Sequence, residues 1–295
     1  MAEETPLDRA WLAAHPLSAI PADTDKNSRG RVLVIGGSRL SPGAIRLTGE
    51  AALRAGAGKV RLATLESLAL PLGLAVPEAG IVALPEGPQG EIAPEAAARL
   101  AKDIAQADCV IVGPGMTDAE AAAPLLAAAL EGLGRHQTLV IDAAAIRAAG
   151  DLLDAIREAR ATCIVTPHVG EMAGLLGEES EAITGDPCTA LARAIDSTGA
   201  TVVLKGATTR IGTNGAGTLV YGGGGPGLAT GGSGDVLAGV VAGLAACGQA
   251  PFEAAAWGVW LHGEAGAQLA AERGAIGFLA RELVPLVPQL RRNLG

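Results

Sequence analysis

The chain has 295 residues, of which 49% are hydrophobic and 2% aromatic, so its core is expected to consist of small aliphatic side chains. The formal net charge of -9, without any run rich in Lys and Arg, argues against a nucleic-acid partner. The amino terminus is acidic rather than basic and apolar, and the longest apolar run, 236–247, is too short to span a bilayer. These features predict a globular, cytoplasmic protein without a membrane segment.

The pattern along the chain predicts a helical extension over residues 1–28 and one α/β domain over residues 29–295. Within that domain, Ala-rich helices separate most of the predicted strands, which lie at 31–37, 59–64, 80–84, 109–113, 138–142, 163–166 and 201–205. This alternation predicts a mostly parallel sheet covered by helices on both faces.

The pattern changes after residue 205. Two short strands in 208–213 and 217–222, joined through Asn214-Gly215, predict an antiparallel hairpin at one edge of the sheet. Ser233 is the predicted N-cap of a helix that stops at Gly248. A long helix over 252–272 and a last one before residue 295 are expected to follow.

The cysteines and histidines show no metal-binding pattern. The four histidines are dispersed, so no spacing typical of a zinc site occurs. The cysteines lie far apart without a CxxC pair, which predicts buried free thiols in a reducing compartment. They are Cys109, Cys163, Cys188 and Cys247.

Unusual loops follow five of the predicted strands. Their sequences, in chain order, are GGSRLSPGA, GPGM, DAAA, TPHVGEM and KGATT. Ligands of open parallel sheets bind outside the carboxyl ends of the strands, where such loops meet. We therefore expect these five loops to share one site.

The stretch GGGGPGLATGGSGDVLAG, residues 222–239, places eight glycines in the thirteen positions from 222 to 234. Glycines allow close approach of backbone amides to a ligand, and the helix that begins near Ser233 directs its free amides toward the same loop. The pattern predicts an anion site. A flexible linker is the alternative, although a linker does not ordinarily lead straight into an apolar helix. The stretch matches neither the P-loop nor the dinucleotide fingerprint.

Asp235 is the only acid in this stretch. A carboxylate beside bound phosphate is repelled by it, so its presence needs a reason. Accepting the proton of a hydroxyl that attacks phosphorus is one such reason, and capping the helix is the other.

Several of these motifs together resemble one known family. The segments TPHVGEM, VVLKGATTRIGT, GPGLATGGSGDVLAGVVAGL and WLHGEAG are similar, in order, to those of the ADP/ATP-dependent NAD(P)H-hydrate dehydratases. The resemblance runs from about Arg31 to Ala270 and implies a three-layer ribokinase-like fold. It also implies phosphorylation of the C6 hydroxyl of the S form of NADHX or NADPHX, followed by loss of phosphate that restores NAD(P)H.

The resemblance implies roles for individual residues. Asp235 is expected to be the catalytic base, and Glu171 is expected to bind Mg²⁺ through water. The remaining assignments are Ala44, Gly115, His168 and Asp235 for the hydrated dinucleotide; Lys205, Gly206, Ala207, Thr208, Thr209 and Gly234 for ADP or ATP; and Gly232, Ser233 and Gly234 for the transferring phosphate. A homo-oligomer, with a tetramer as one form, and a separate NAD(P)HX epimerase in the same pathway are further expectations.

Each assignment has a structural alternative. Ala44 could let a helix start close to the sheet, Gly115 could serve only a turn, and His168 could cap the following helix. Glu171 could belong to the first turn of that helix rather than to a magnesium site.

The chain also departs from the family pattern. Ala144 stands where the family usually has an aspartate, and Gly225 stands where an asparagine is often found. Two other functions therefore stay open. One is a hydroxyethylthiazole-type kinase of the same superfamily, against which the TPH loop argues. The other is a nucleotide-binding protein with weakened catalysis, against which Asp235 argues.

Overall fold

The computed structural model describes residues 4–19 and 23–292. In that part of the chain the strands form one sheet, in the spatial order β1-β10-β9-β8-β7-β6-β5-β2-β3-β4. The strands are β1 Glu4–Pro6, β2 Arg31–Ile35, β3 Lys59–Leu65, β4 Gly80–Leu84, β5 Cys109–Val112, β6 Thr138–Ile141, β7 Thr162–Val165, β8 Thr201–Leu204, β9 Thr209–Gly212 and β10 Thr218–Tyr221.

Helices connect these strands and cover both faces of the sheet. The helices are α1 Arg9–Ala14, α2 Ala44–Ala55, α3 Glu66–Ala75, α4 Ala101–Gln106, α5 Ala119–Gly132, α6 Ala144–Ala149, α7 Leu153–Arg157, α8 Val169–Leu176, α9 Ser180–Gly185, α10 Pro187–Thr198, α11 Ser233–Ala246, α12 Pro251–Arg273, α13 Ala280–Leu283 and α14 Val287–Arg292. Short 3₁₀ turns lie at Pro94–Arg99, Gly150–Leu152, Pro226–Leu228 and Val284–Leu286.

Alternate residues of the central strands belong to two separate cores. In β2, Val32 and Val34 belong to the same core as residues of α2, α11 and α12, whereas Leu33 and Ile35 belong to a second core with residues of α4, α5 and α6. Both faces are buried, which explains why the strands read as continuous apolar runs rather than as alternating ones. The three-layer α/β architecture predicted from the sequence is confirmed.

The predicted hairpin is also confirmed, because β9 pairs antiparallel with both β8 and β10. It is not the outermost element. The three-residue strand β1 adds to β10 in parallel, with Thr5 opposite Leu219. The amino-terminal extension, predicted to be helical, contains the helix α1 but also supplies a strand before it, and it buries Leu7 and Leu12 in the core.

Two of the predicted thiol environments differ from expectation. Cys109 and Cys163 are buried, whereas Cys188 is exposed and Cys247 is partly exposed. The prediction of four buried thiols is wrong for these last two, because both lie at helix ends rather than in strands. Within the described residues, none of the helices combines the length and the apolar composition needed to cross a bilayer.

Candidate active site

The parallel strands carry the five loops to one edge of the sheet. β8, β7, β6, β5 and β2 are consecutive neighbours, so the loops at their carboxyl ends adjoin one another. The contact is close, because a Cβ atom added at Gly113 would overlap the carbonyl oxygen of Asp142. One added at Gly36 would overlap that of Pro114. The topology thus creates a continuous rim of loops, as expected from the sequence.

Ala44 and Gly115 lie against each other in this rim. A Cβ atom at Gly115 would lie 2.8 Å from the Cβ atom of Ala44 and 2.8 Å from the carbonyl oxygen of Ser41. Gly115 also has a φ of +72°, which favours glycine. Two residues that the resemblance assigns to the hydrated dinucleotide are therefore adjacent. Gly115 also forms a tight turn, so the structural alternative given for it applies too.

The glycine-rich stretch is packed, which argues against a linker. Side chains added at Gly223 or Gly263 would collide with the ring of Tyr221, whose hydroxyl donates to Glu264 at 3.0 Å. Gly225 has a φ of +72° and no atom within 4 Å of an added Cβ. Asn tolerates positive φ better than most residues, so Gly and Asn meet the same backbone requirement at this position.

The amino terminus of α11 differs from the prediction in one detail. Its N-cap is Gly232, with a φ of +88°, and not Ser233, because Ser233 already lies in the first helical turn. The Ser233 amide donates to the carbonyl of Thr230 at 3.2 Å. Within residues 4–19 and 23–292 no hydrogen bond engages the amides of Gly232, Gly234 and Asp235. These three amides are therefore free to donate to a ligand, whereas the amide of Ser233, predicted with Gly232 and Gly234 to bind the transferring phosphate, already has a partner; the phosphate role of the segment stays a prediction.

A cluster of charged side chains lies beside this helix terminus. The Lys205 ammonium is 3.1 Å from a carboxylate oxygen of Asp142 and 3.5 Å from one of Glu171. Asp142 also accepts a hydrogen bond from the Thr166 hydroxyl at 2.7 Å. Burial opposes protonation of Lys205, but the two ion pairs outweigh burial and raise its pKa. The lysine therefore stays charged.

Asp235 shares the electrostatic environment of this cluster. Burial raises the pKa of its carboxyl group to about 7, and the charges of Asp142 and Glu171 act in the same direction, while Lys205 opposes them. A carboxyl group with a pKa near neutrality combines a large ionised fraction with real basicity. Asp235 is therefore suited to accept a proton from an attacking hydroxyl.

His168 and Glu171 form a reciprocal cap at the start of α8. The Glu171 amide donates to His168 Nδ1 at 3.2 Å, and the His168 amide donates to the Glu171 carboxylate at 2.8 Å. His168 therefore caps α8 and Glu171 lies in its first turn, as the structural alternatives for these two residues require. The His168 backbone also forms an isolated bridge with that of Lys205, so the residue lies beside the charged cluster, and its side chain is 60% exposed.

The loop matched to the nucleotide begins at the same lysine. Its residues Gly206, Ala207 and Thr208 are exposed, and Thr209 begins β9. A Cβ atom added at Gly234 would lie 3.5 Å from the Lys205 ammonium nitrogen. Lys205 thus connects this loop to the α11 terminus, and one nucleotide can contact both.

The donor set fits magnesium only through water. Among the described residues no group of three His, Cys, Asp or Glu side chains is arranged to hold a metal ion. Asp142 and Glu171 already bind Lys205. Mg²⁺ commonly keeps several waters and takes its remaining ligands from substrate phosphates. The water-mediated role of Glu171 stays a prediction.

Sequence reasoning did not assign Asp142 or His262. Asp142 ends a central strand at the ligand-binding edge, which is a usable signal. His262 lies 29 positions from Ser233, yet its Nε2 atom is 2.9 Å from the Ser233 hydroxyl, and only helix packing joins them. Ala144, where the family has an aspartate, is buried in the apolar core. It adds no polar group to the site.

Lys205→Met is expected to lower the free energy of unfolding by about 3–5 kcal/mol, because it leaves two buried carboxylates without their cationic partner. It should also weaken ADP binding more than binding of the hydrated dinucleotide, since Lys205 opens the nucleotide loop. Chemical denaturation and calorimetric titration measure the two effects. Lys102→Met, at an exposed lysine, is the control. Unchanged stability would contradict the ion-pair role, and equal loss of both ligands would indicate a damaged fold.

The chain resembles characterised proteins over almost its whole length. A family model described as NAD(P)H-hydrate dehydratase matches residues 32–289. The ADP-dependent (S)-NAD(P)H-hydrate dehydratase of Xanthomonas campestris pv. campestris is 42% identical over 97% of this chain and 95% of its own length. A bifunctional NAD(P)H-hydrate repair enzyme of Moorella thermoacetica is 37% identical over 98% of this chain. The match covers 54% of that longer protein, so the chain spans about half of it.

A solved structure supports the same fold. The ADP/ATP-dependent NAD(P)H-hydrate dehydratase of Bacillus subtilis, co-crystallised with ATP and Mg²⁺, superposes with a TM-score of 0.82. It is 24% identical, and the match covers 98% of each chain. Since a family model and a relative with 42% identity both span the loops that build this site, the chain belongs to the NAD(P)H-hydrate dehydratase family.

Proposed function

We propose that this chain is an ADP- or ATP-dependent dehydratase that restores NAD(P)H from the S form of NADHX or NADPHX. The observation that carries the proposal is the position of Asp235. Its carboxyl group, with a pKa of about 7, lies at the α11 terminus beside unpaired amides. A base and an anion site within one helical turn are what a hydroxyl needs to attack a bound phosphate.

The first chemical step is phosphoryl transfer. Asp235 accepts the proton of the C6 hydroxyl as the hydroxyl oxygen bonds to the terminal phosphorus of ADP, and AMP leaves with the electrons of the broken P–O bond. The amides of Gly232 and Gly234 stabilise the charge on the transferring phosphoryl group. Lys205 and the loop that follows it hold the nucleotide.

The second step is elimination. The phosphorylated C6–O bond breaks, and phosphate leaves with the bonding electrons. The neighbouring ring carbon gives up a proton to the departing phosphate or to water, and the electrons of that C–H bond form the ring double bond of NAD(P)H. Mg²⁺ on the nucleotide phosphates, facing Glu171 and Asp142 through water, would neutralise part of their charge. Ala44, Gly115 and His168 are proposed to line the hydrated ring.

Incubation with NADHX or NADPHX plus ADP or ATP tests this function. We expect the near-ultraviolet absorbance of NADH or NADPH to return, with one phosphate released per turnover. Each of the four substrate pairs is measured separately. A stable phosphorylated alcohol without free phosphate would indicate a kinase. Nucleotide binding without turnover would indicate a protein that has lost catalysis.

The rate should fall as the pH drops below about 7, because the base must be ionised and its pKa is raised to about 7. We expect kcat/KM to decline about tenfold per pH unit on the acidic side. Asp142→Asn removes one charge that raises this pKa and should move the decline to lower pH. A profile that is flat between pH 5 and 8 in a folded protein would contradict the role of Asp235.

Assembly and location stay predictions. We propose a homo-oligomer, with a tetramer as one form, a cytoplasmic location and a separate NAD(P)HX epimerase acting in the same pathway. Light scattering of the purified chain measures the oligomeric state. Addition of R-epimer substrate, with and without an epimerase, tests the need for a separate epimerase, because the chain alone should consume only the S form.

A further inference from the structure

His262 lies under the amino terminus of α11, within the buried helix α12. Its Nε2 atom is 2.9 Å from the Ser233 hydroxyl oxygen, and the two residues are only 9% and 5% exposed. Ser233 is therefore held at two points, since its amide also donates to the Thr230 carbonyl at 3.2 Å.

Ser233 supplies the only side chain in the segment 231–234. Its neighbours Gly232 and Gly234 carry the amides proposed to bind phosphate, and Gly232 has a φ of +88°. A glycine segment has wide conformational freedom, so it needs an external contact to hold one arrangement. The hydrogen bond to His262 is such a contact, because it joins the segment to a buried helix.

We infer that His262 is a positioning residue, which acts through Ser233 to hold the amides of Gly232 and Gly234 toward the transferring phosphoryl group. The inference rests on the proposed function.

The charge state of His262 supports a geometric role. Burial lowers its pKa to about 4, and the Lys205 charge acts in the same direction, while an interaction with the Ser233 backbone opposes them. The imidazole is therefore neutral at neutral pH. It supplies no positive charge to the phosphate, so its contribution lies in holding Ser233.

Two substitutions at position 262 separate positioning from packing. His262→Gln retains a polar atom near the place of Nε2, whereas His262→Leu retains the volume without a hydrogen-bonding atom. We expect His262→Leu to weaken ADP binding and to lower kcat/KM about tenfold or more, and His262→Gln to stay within about threefold of wild type. Ser233→Ala, which leaves the histidine in place, should match His262→Leu. The double variant should be no worse than either.

The control is Thr198→Val. It removes another buried hydroxyl, which donates to Ala194 in α10 far from the site, and should lower the melting temperature without changing ADP affinity.

Three results would overturn the positioning role. His262→Leu could bind ADP as tightly as wild type, His262→Gln could lose as much ADP affinity as His262→Leu, or the losses of the two single variants could add in the double variant. A wild-type protein that binds ADP but restores NADH or NADPH with none of the four substrate pairs would overturn the proposed function, while the ADP affinities still decide the inference. A wild-type protein that binds no nucleotide would overturn both.

Discussion

Asp235→Asn is expected to abolish turnover while leaving ADP affinity within a few-fold of wild type. The amide keeps the shape of the carboxylate but cannot accept the hydroxyl proton, and general-base catalysis contributes about a hundredfold or more. Steady-state rates with NADHX and calorimetric titration with ADP measure the two quantities. A variant that retains about a tenth of the wild-type rate would rule out Asp235 as the base. Asp196→Asn, which removes an exposed carboxylate from α10, should change neither quantity.

The same variant has a stability signature that separates lost chemistry from a damaged fold. Burial raises the pKa of Asp235 from the ordinary 3.8 to about 7, so the folded state binds this proton more tightly than the unfolded state. Above pH 7 the ionised carboxylate costs on the order of a few kcal/mol, and this cost disappears as the pH falls toward the unfolded pKa. Asp235→Asn should therefore be more stable than wild type at pH 8 and equally stable near pH 4. Lower stability at pH 8 would indicate a disturbed site.

The central sheet was predictable because its strands are buried on both faces. Apolar runs such as 31–35 and 109–112, separated by Ala-rich helices, are typical of buried strands in a parallel sheet. The first strand, Glu4–Pro6, was not predictable in this way. It has three residues, ends in proline and pairs along one edge only, so it has no periodicity to detect. Its position depends on the free edge of β10, which only the folded sheet provides.

The location of the site was predictable, but the contacts within it were not. Parallel strands carry their loops to one edge, which is a rule of topology that the sequence satisfies. The pairing of Lys205 with Asp142 and Glu171 depends instead on side-chain directions across three neighbouring loops. The same holds for Ser233, whose hydroxyl binds a histidine on another helix instead of capping its own.

The two glycines that flank Ser233 at the α11 terminus differ in backbone conformation. Gly232 is the position with positive φ, +88°, whereas Gly234 does not have a left-handed backbone. A Cβ atom at Gly234 would lie 3.5 Å from the Lys205 ammonium nitrogen, which is an ordinary contact, so a larger side chain there would extend into the space beside that lysine. A substitution at position 234 therefore fills ligand space with little backbone strain, which makes it the sharper test of the anion site.

Gly234→Val is expected to abolish catalysis and to lower ADP affinity sharply, while the unliganded protein loses at most a few kcal/mol of stability. The branched side chain would fill the space between the α11 terminus and Lys205, where the phosphate is proposed to bind. Gly222→Val is the matched control, because no atom lies within 4 Å of a Cβ atom added at this glycine of the same stretch. Titration with ADP and a melting curve on the same sample separate loss of binding from loss of folding. If the glycines formed only a linker, both variants would keep the wild-type rate and ADP affinity. Unchanged ADP affinity in folded Gly234→Val would refute the phosphate site.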